Sequence, residues 1–211
     1  NHAPDQWIGT HSTQPPGCKL KCTCHELLFG GHPFFVILAK INFAMANSKA
    51  IYQAACNSIS LSEPAEEIAA IAMLLVTQLT GLNATQVLAG KEVLLEASDL
   101  QPLLERINKH EPIQYVLGES VFMGRMFIVT PAVLIPRPET EELVGHALRS
   151  VRDRPHASVL DLGTGSGCIA ISIGCESPAR VTGVDISGAA LEIARRNAVL
   201  NGARVDWIQQ D

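Results

Sequence analysis

The sequence predicts an α/β fold built on a partial parallel sheet, preceded by a small helical domain and a β-hairpin linker. Three observations carry this. From Ser158 onward, short apolar strands alternate with helical segments, and alternation at that spacing requires a parallel sheet with crossover helices. A glycine-rich turn, Gly163 to Gly167, leaves the first of these strands and opens a helix. Between Ser62 and Ile107, in contrast, apolar residues recur at helical spacing.

The composition sets limits on function. With 211 residues and 47% hydrophobic content, the chain can bury a core for one ordinary domain plus a smaller one. A formal charge of -5 argues against a broad nucleic-acid surface, which needs clustered Lys and Arg. Partners should therefore be bound by shape and local contacts. The apolar run Phe34 to Ala39 is broken by Lys40 and falls far short of the roughly 20 residues a bilayer span needs. Followed by Ala44-Met45-Ala46, it makes a poor secretory signal for the same reason. Of six cysteines, Cys168 and Cys175 fall within a helix expected to be buried, so no disulfide framework is read. Cys18, Cys22, Cys24 and His25 lie close together, but the spacing is wrong for zinc and no second ligand cluster follows, so no metal site is expected.

Residues 1–44 mix Pro, Gly, His and Cys without a sustained period; they are left unassigned, as a disordered or upstream segment, with Met45 as the natural start. Residues 45–115 form the helical domain. One helix is signalled by Ser62 as N-cap, Pro64 in the first turn, Glu63, Glu66 and Glu67 near the positive end, and Gly81 as the stop, with Ile68, Ile71, Leu75 and Leu79 as its apolar face. Another starts with capping-box spacing at Ser98 and Gln101 and carries Leu100, Leu103, Leu104 and Ile107. Residues 116–135 are the hairpin linker, with Val121-Phe122 and Phe127 to Val129 on either side of Met123-Gly124.

Residues 136–211 form the first part of the sheet domain. Pro136 and Pro138 fix an extended entry to an acidic helix start, and Leu143, Val144, Ala147, Leu148 and Val151 give that helix its apolar face. His146 falls on its polar side. Strands follow at Val159 to Leu162, Val181 to Asp185 and Val205 to Ile208, with helices at Cys168 to Cys175 and Ala189 to Leu200. The last helix has Ser187 as N-cap and Asn201-Gly202 as terminator.

Asp161, Gly163, Thr164, Gly165, Ser166 and Gly167 are candidate cofactor-binding residues. A loop of this kind lets backbone N–H groups and the positive end of a helix face a ligand, and glycines permit close approach. A dinucleotide site has the spacing G-x-G-x-x-G, which would require glycine where Cys168 stands; the spacing here is G-x-G-x-G. Asp161 stands where an acid can meet a cationic ligand such as the amino group and sulfonium of S-adenosyl-L-methionine. Asp185, 22 positions after Gly163 at the end of the second strand, can accept from both ribose hydroxyls, and this fits the nucleoside of either cofactor. Asp211 can accept from an adenine amino group or be simply a polar terminus; both readings stay open.

Gly118-Glu119, the hairpin, Leu134-Ile135-Pro136-Arg137-Pro138-Glu139-Thr140-Glu141 and Asp161 to Gly167 together resemble the HemK/PrmC family, which methylates a glutamine of peptide-chain release factors. The resemblance covers about residues 60–211. It implies a Rossmann-like class I methyltransferase domain, S-adenosyl-L-methionine as cofactor, and transfer of its methyl group to the side-chain amide nitrogen of the glutamine in a Gly-Gly-Gln motif. It also implies a release factor as partner; a cytoplasmic location and a monomer with no direct nucleic-acid or membrane contact are expected besides. The family polarises and aims the amide with an Asn-Pro-Pro-Tyr motif after the fourth strand. That motif does not occur in these 211 residues. It is expected just beyond Asp211, so no catalytic residue is named and the chain reads as truncated before it.

Arg137, Glu139 and Glu141 are open between a cofactor-side or interdomain role and plain helix capping. Three other functions compete. A ribosomal-protein glutamine methyltransferase would share the cofactor half. A nicotinamide-dependent oxidoreductase is disfavoured by Cys168. A catalytically incomplete binding fragment would show no methyl transfer.

Overall fold

The structure is a computed structural model that describes residues 25–29, 32–36, 46–95, 97–154 and 156–211. Strands β1 (His25–Phe29) and β2 (His32–Val36) pair antiparallel, within a stretch where the sequence shows no strand period. The side chains of the Cys18, Cys22, Cys24 and His25 group lie outside the described residues.

The helical region begins with β3 (Ala46–Asn47) and α1 (Ser48–Ser58), which Asn47 caps by accepting from Lys49 N and Ala50 N. It continues through α2 (Ala65–Thr80), α3 (Ala84–Leu88), β4 (Glu92–Val93), α4 (Ala97–Ile107) and α5 (Ile113–Leu117), and β3 pairs with β4. The capping box in this region is at Asn83 and Gln86 of α3. The helix read from Ser62 starts later: Pro64 takes the cap position of α2 with no side-chain hydrogen bond, and its carbonyl accepts from Glu67 N and Ile68 N. Gly81 ends α2 as expected, at φ +68°. α4 already includes Ser98, one residue past its start, so Ser98 is not its N-cap; that side chain lies outside the described residues.

The core of this region unites Ile51, Ala55, Ala72, Leu75, Val76, Leu100, Leu104 and Ile107. The buried stripe of α2 is centred on Ala72, Leu75 and Val76, an i, i+3, i+4 set. It lies to one side of the expected stripe, which leaves Leu79 exposed. Arg106 locks the end of α4 to α5: its guanidinium pairs with both oxygens of Glu111 and also donates to the carbonyls of Tyr115 and Val116, which no helical N–H reaches. Tyr115 then donates its hydroxyl to Val133 O at 2.7 Å, tying the helical region to the segment after the hairpin.

That hairpin is β5 (Glu119–Phe122) and β6 (Arg125–Ile128), with Phe122 opposite Arg125. Met123 and Gly124 form its two-residue turn at φ +50° and +69°, as a type I′ turn requires. Phe122 and Phe127 are fully buried and meet edge to face, with ring centroids 6.0 Å apart.

Next come α6 (Pro138–Val151), β7 (Ser158–Leu162), α7 (Cys168–Glu176), β8 (Arg180–Asp185), α8 (Gly188–Asn201) and β9 (Asp206–Gln209). The three strands run parallel in the order β7-β8-β9, with Leu160 beside Thr182 and Thr182 beside Asp206. Both crossovers step in the same direction, so right-handed connections put α7 and α8 on one face. There the hairpin phenylalanines, Val144 and Leu148 of α6, Ile171 and Ile173 of α7, Val181 and Ala198 form a single core. The opposite face carries Leu160, Leu162 and Ile208 exposed, Leu162 at 72%. On α6 the expected apolar residue Leu143 points outward, because the buried line is Val144 and Leu148 at i, i+4 and a neighbouring position is turned about 100° from it. His146 is exposed, as its place on the polar side implies.

Candidate functional site

The glycine loop is held by its own backbone. Gly163 N and Thr164 N both donate to Val184 O at 2.9 Å, and Gly167 N donates to Thr164 O at 2.8 Å. Gly163, Gly165 and Gly167 have φ of +71°, +55° and +79°, a region in which L side chains are strained. The three glycines nevertheless answer different needs. A Cβ on Gly163 would meet nothing within 4 Å, and one on Gly165 only Gly163 O at 3.9 Å, so both look onto open space. A Cβ on Gly167 would stand 2.9 Å from Ile171 Cδ1 and Trp207 Cη2. Gly163 and Gly165 therefore keep the outer side of the loop clear, and Gly167 lets it pack inward.

Two carboxylates organise the loop. Asp185, at the end of β8, accepts from Gly165 N through Oδ2 (2.8 Å) and from Ser187 N through Oδ1 (2.9 Å). Each carboxylate oxygen can accept a second hydrogen bond, so both remain competent toward a diol. Asp161 is turned inward: its Oδ2 accepts from Thr164 Oγ1 at 2.7 Å and from Ala170 N at 3.3 Å. Gly167 occupies the N-cap position of α7 but has no side chain to cap with, and Asp161 supplies that oxygen from the neighbouring strand. Burial pushes the Asp161 carboxyl above the ordinary aspartate range, the two hydrogen bonds pull it back in part, and the negative charge of Asp185 adds to the rise.

A groove of about 650 Å³ opens at the carboxyl ends of the strands, lined by Leu162, Gly163, Val184, Asp185, Ile186, Asp211 and neighbours on the open sheet face. Of the residues singled out from the sequence, Gly163, Asp185 and Asp211 line this groove, and Gly165 is bonded to Asp185 beside it. Asp161, Thr164, Ser166 and Gly167 are buried behind the loop and shape it from within.

Three residues that line the groove or pack beside the loop were not read from the sequence. Ile186 is 63% exposed in the groove next to Asp185, and its carbonyl is held by Gln209 Nε2. Its signal was an apolar residue between a strand-end acid and a helix cap. Trp207 lies across Gly183, its partner in the β8–β9 ladder, and a Cβ on Gly183 would come within 2.4 Å of the indole. Asn197 is fully buried against the loop, and nothing local in the sequence marks it.

The loop's donors are largely committed internally. The N–H groups of Gly163, Thr164, Gly165 and Gly167 all have partners inside the protein, and the α7 N-terminus already faces a carboxylate. A pyrophosphate would have to displace these bonds and lie near Asp161 and Asp185. A ligand with hydroxyls, a cationic centre and an apolar ring meets no such conflict.

Arg137 and Glu139 are exposed at the start of α6. Glu141 reaches back to the hairpin, where its Oε1 accepts from Met123 N at 2.7 Å. Among the described residues, no group of three or more His, Cys, Asp or Glu side chains could hold a metal ion, and no helix is long and apolar enough to cross a membrane.

Residues 55–118 match the family described as PrmC N-terminal domain, and residues 159–211 the one described as Methyltransferase domain. The chain is similar to a release factor glutamine methyltransferase of Bacteroides thetaiotaomicron, 45% identical over 153 residues, which are 70% of this chain and 54% of the relative. A protein of the same name from Bacillus subtilis is 38% identical over 159 residues, 72% of this chain and 55% of the relative. Among solved structures, a SAM-dependent methyltransferase from Thiobacillus denitrificans in complex with S-adenosyl-L-homocysteine shares 35% identity, covering 36% of this chain and 30% of that one with a TM-score of 0.31. The chain spans about half the length of these curated relatives.

Proposed function

From the matches to the PrmC N-terminal domain and the methyltransferase domain we propose that the chain belongs to the PrmC family of methyltransferases, and that the carboxyl edge of β7, β8 and β9 binds S-adenosyl-L-methionine for methylation of a release-factor glutamine. The observation that carries the cofactor reading is Asp185, whose carboxylate stands beside the glycine loop in a groove that also holds Ile186 and Asp211. Asp185 would hold the ribose hydroxyls, Ile186 would lie against the apolar ring, and Asp211 would accept from the adenine amino group. Asp161 would contribute negative charge behind the loop toward the cationic end of the ligand. The internally satisfied loop amides favour this ligand over a dinucleotide.

When bound, S-adenosyl-L-methionine supplies an electrophilic methyl group. The residues of this chain bind and orient it, and Gly163 and Gly165 leave room for close approach. The acceptor would be the side-chain amide nitrogen of a glutamine, a weak nucleophile because its lone pair is delocalised. We assign residues 45–115 to recognition of the release factor, residues 116–135 to a linker, and residues 136–211 to the cofactor side of the catalytic domain. The activity belongs in the cytoplasm, where release factors work.

Calorimetric titration of the chain with S-adenosyl-L-methionine and, separately, with NAD tests the cofactor reading. Binding of the first without the second is expected. Binding of NAD alone would reverse it. For the whole protein, methyl transfer from labelled cofactor to a release factor, lost when the acceptor glutamine is replaced, tests the reaction.

A further inference from the structure

Helix α8 carries a buried asparagine that serves two parts of the molecule at once. Asn197 is 0% exposed. Its Oδ1 accepts from Ile128 N at 2.7 Å and its Nδ2 donates to Ile128 O at 3.0 Å, so the amide replaces a strand neighbour for the last residue of β6. The same Nδ2 donates to Ser166 O of the glycine loop at 2.9 Å. One planar group thus fixes the exit of the hairpin and the inner side of the loop.

The surroundings sharpen this. Ala190, Ile193, Asn197 and Asn201 follow one another at helical spacing along the side of α8 that meets the hairpin strand and the segment after it. Ala190 and Ile193 pack with Val129, Val133 and Tyr115, and Asn201 donates to Met126 O. Of these four, Asn197 also hydrogen-bonds the loop. Rotating its amide to follow a displaced hairpin would break the bond to Ser166, and the converse holds, because a buried amide without partners is costly.

We propose that Asn197 is a positioning residue that couples the hairpin linker to the glycine loop, so that ligand binding at the loop and ordering of Ile128 reinforce each other. The ligand half of this statement rests on the cofactor reading above; the mechanical half does not. Coupling of this kind is a shared free energy, so it must act in both directions.

Amide hydrogen exchange on the chain tests it, with S-adenosyl-L-homocysteine as the probe. In the unsubstituted protein, saturation with the probe should slow exchange at Ile128 N as well as in the loop. Asn197→Ala should speed exchange roughly 10-fold or more at Ile128 N and, without any probe, at the loop amides of Gly165 and Gly167. Asn197→Asp, which keeps the acceptor for Ile128 N but loses both donations, should loosen the loop and protect Ile128 N better than alanine does. Asn201→Ala removes a hairpin bond without touching the loop, and should leave the loop amides unchanged. Loop exchange unaffected by Asn197→Ala, or equally affected by Asn201→Ala, would overturn the proposal. A probe that fails to bind at all sinks the cofactor reading, and the probe-free comparison of the variants still decides the role of Asn197. Should Asn197→Ala not fold, the probe-free comparison of Asn197→Asp with Asn201→Ala at the same loop amides decides it.

Discussion

The carboxylate of Asp185 accepts from Gly165 N at 2.8 Å, joining the end of β8 to the middle of the glycine loop. Asp185→Ala should therefore weaken S-adenosyl-L-methionine binding by about 1–3 kcal/mol, the range for removing a buried hydrogen-bonding partner. Asp185→Asn keeps one acceptor for Gly165 N and should fall between the two. Titration calorimetry on the three proteins measures this, and equal affinities would rule out a ribose contact.

Gly165 and Gly167 should fail in different ways. Gly165→Ala meets open space and carries only the strain of a positive φ, about 1–2 kcal/mol, so the protein should fold while ligand affinity drops. Gly167→Ala adds a collision with Ile171 and Trp207 and should lower stability further. Thermal melts with and without ligand separate the two. Equal melting temperatures for both variants would count against the division of labour described for the loop.

Burial raises the Asp161 carboxyl above its ordinary range, and that makes a claim about pH. A folded chain that holds this proton more tightly than the unfolded chain loses stability as pH climbs through the interval between the two values. Above the raised value the full cost is present. Asp161→Asn retains an acceptor for Thr164 Oγ1 and Ala170 N but cannot ionise, so its stability should lack this component of the slope. Urea denaturation across the mildly acidic range, compared between the two proteins, gives the answer, and identical slopes would show that Asp161 ionises freely in the fold.

Glu141 stands apart from Arg137 and Glu139 in the same proline-flanked segment. Because it alone of the three accepts from the hairpin turn, Glu141→Ala should cost about 1 kcal/mol, with Glu141→Gln recovering most of it. Arg137→Ala and Glu139→Ala should each change stability by less than about 0.5 kcal/mol, as exposed positions do. Chemical denaturation of the four variants discriminates the roles.

The parallel strands, the loop between β7 and α7, the hairpin turn and the Ser187 cap were all legible because each rests on local chemistry: apolar runs, glycine at positive φ, a side-chain oxygen three residues before an amide. What escaped was set by distance in the chain. Asn197 gains its role from Ile128, 69 positions earlier, and Gly183 gains its role from Trp207 across the ladder. The buried stripe of α2 shifted toward Ala72 and Val76 for the same reason, since α1, α3 and α5 rather than α2 itself decide which side is covered. Asp161 reads from the sequence as an acid facing a cationic ligand, but the partner it meets, the N-terminus of α7, depends on a bend that only the folded loop provides.

The one-sided arrangement of crossovers has a consequence for handling the molecule. Leu160, Leu162 and Ile208 form an unpaired apolar sheet surface, and the backbone groups on the outer side of β7 have no strand beside them among the described residues. Exposed edges and apolar faces of this kind act as templates for non-specific strand addition. In concentrated solution, light scattering should therefore respond to Leu162→Lys more than to a charge reversal on the helical region.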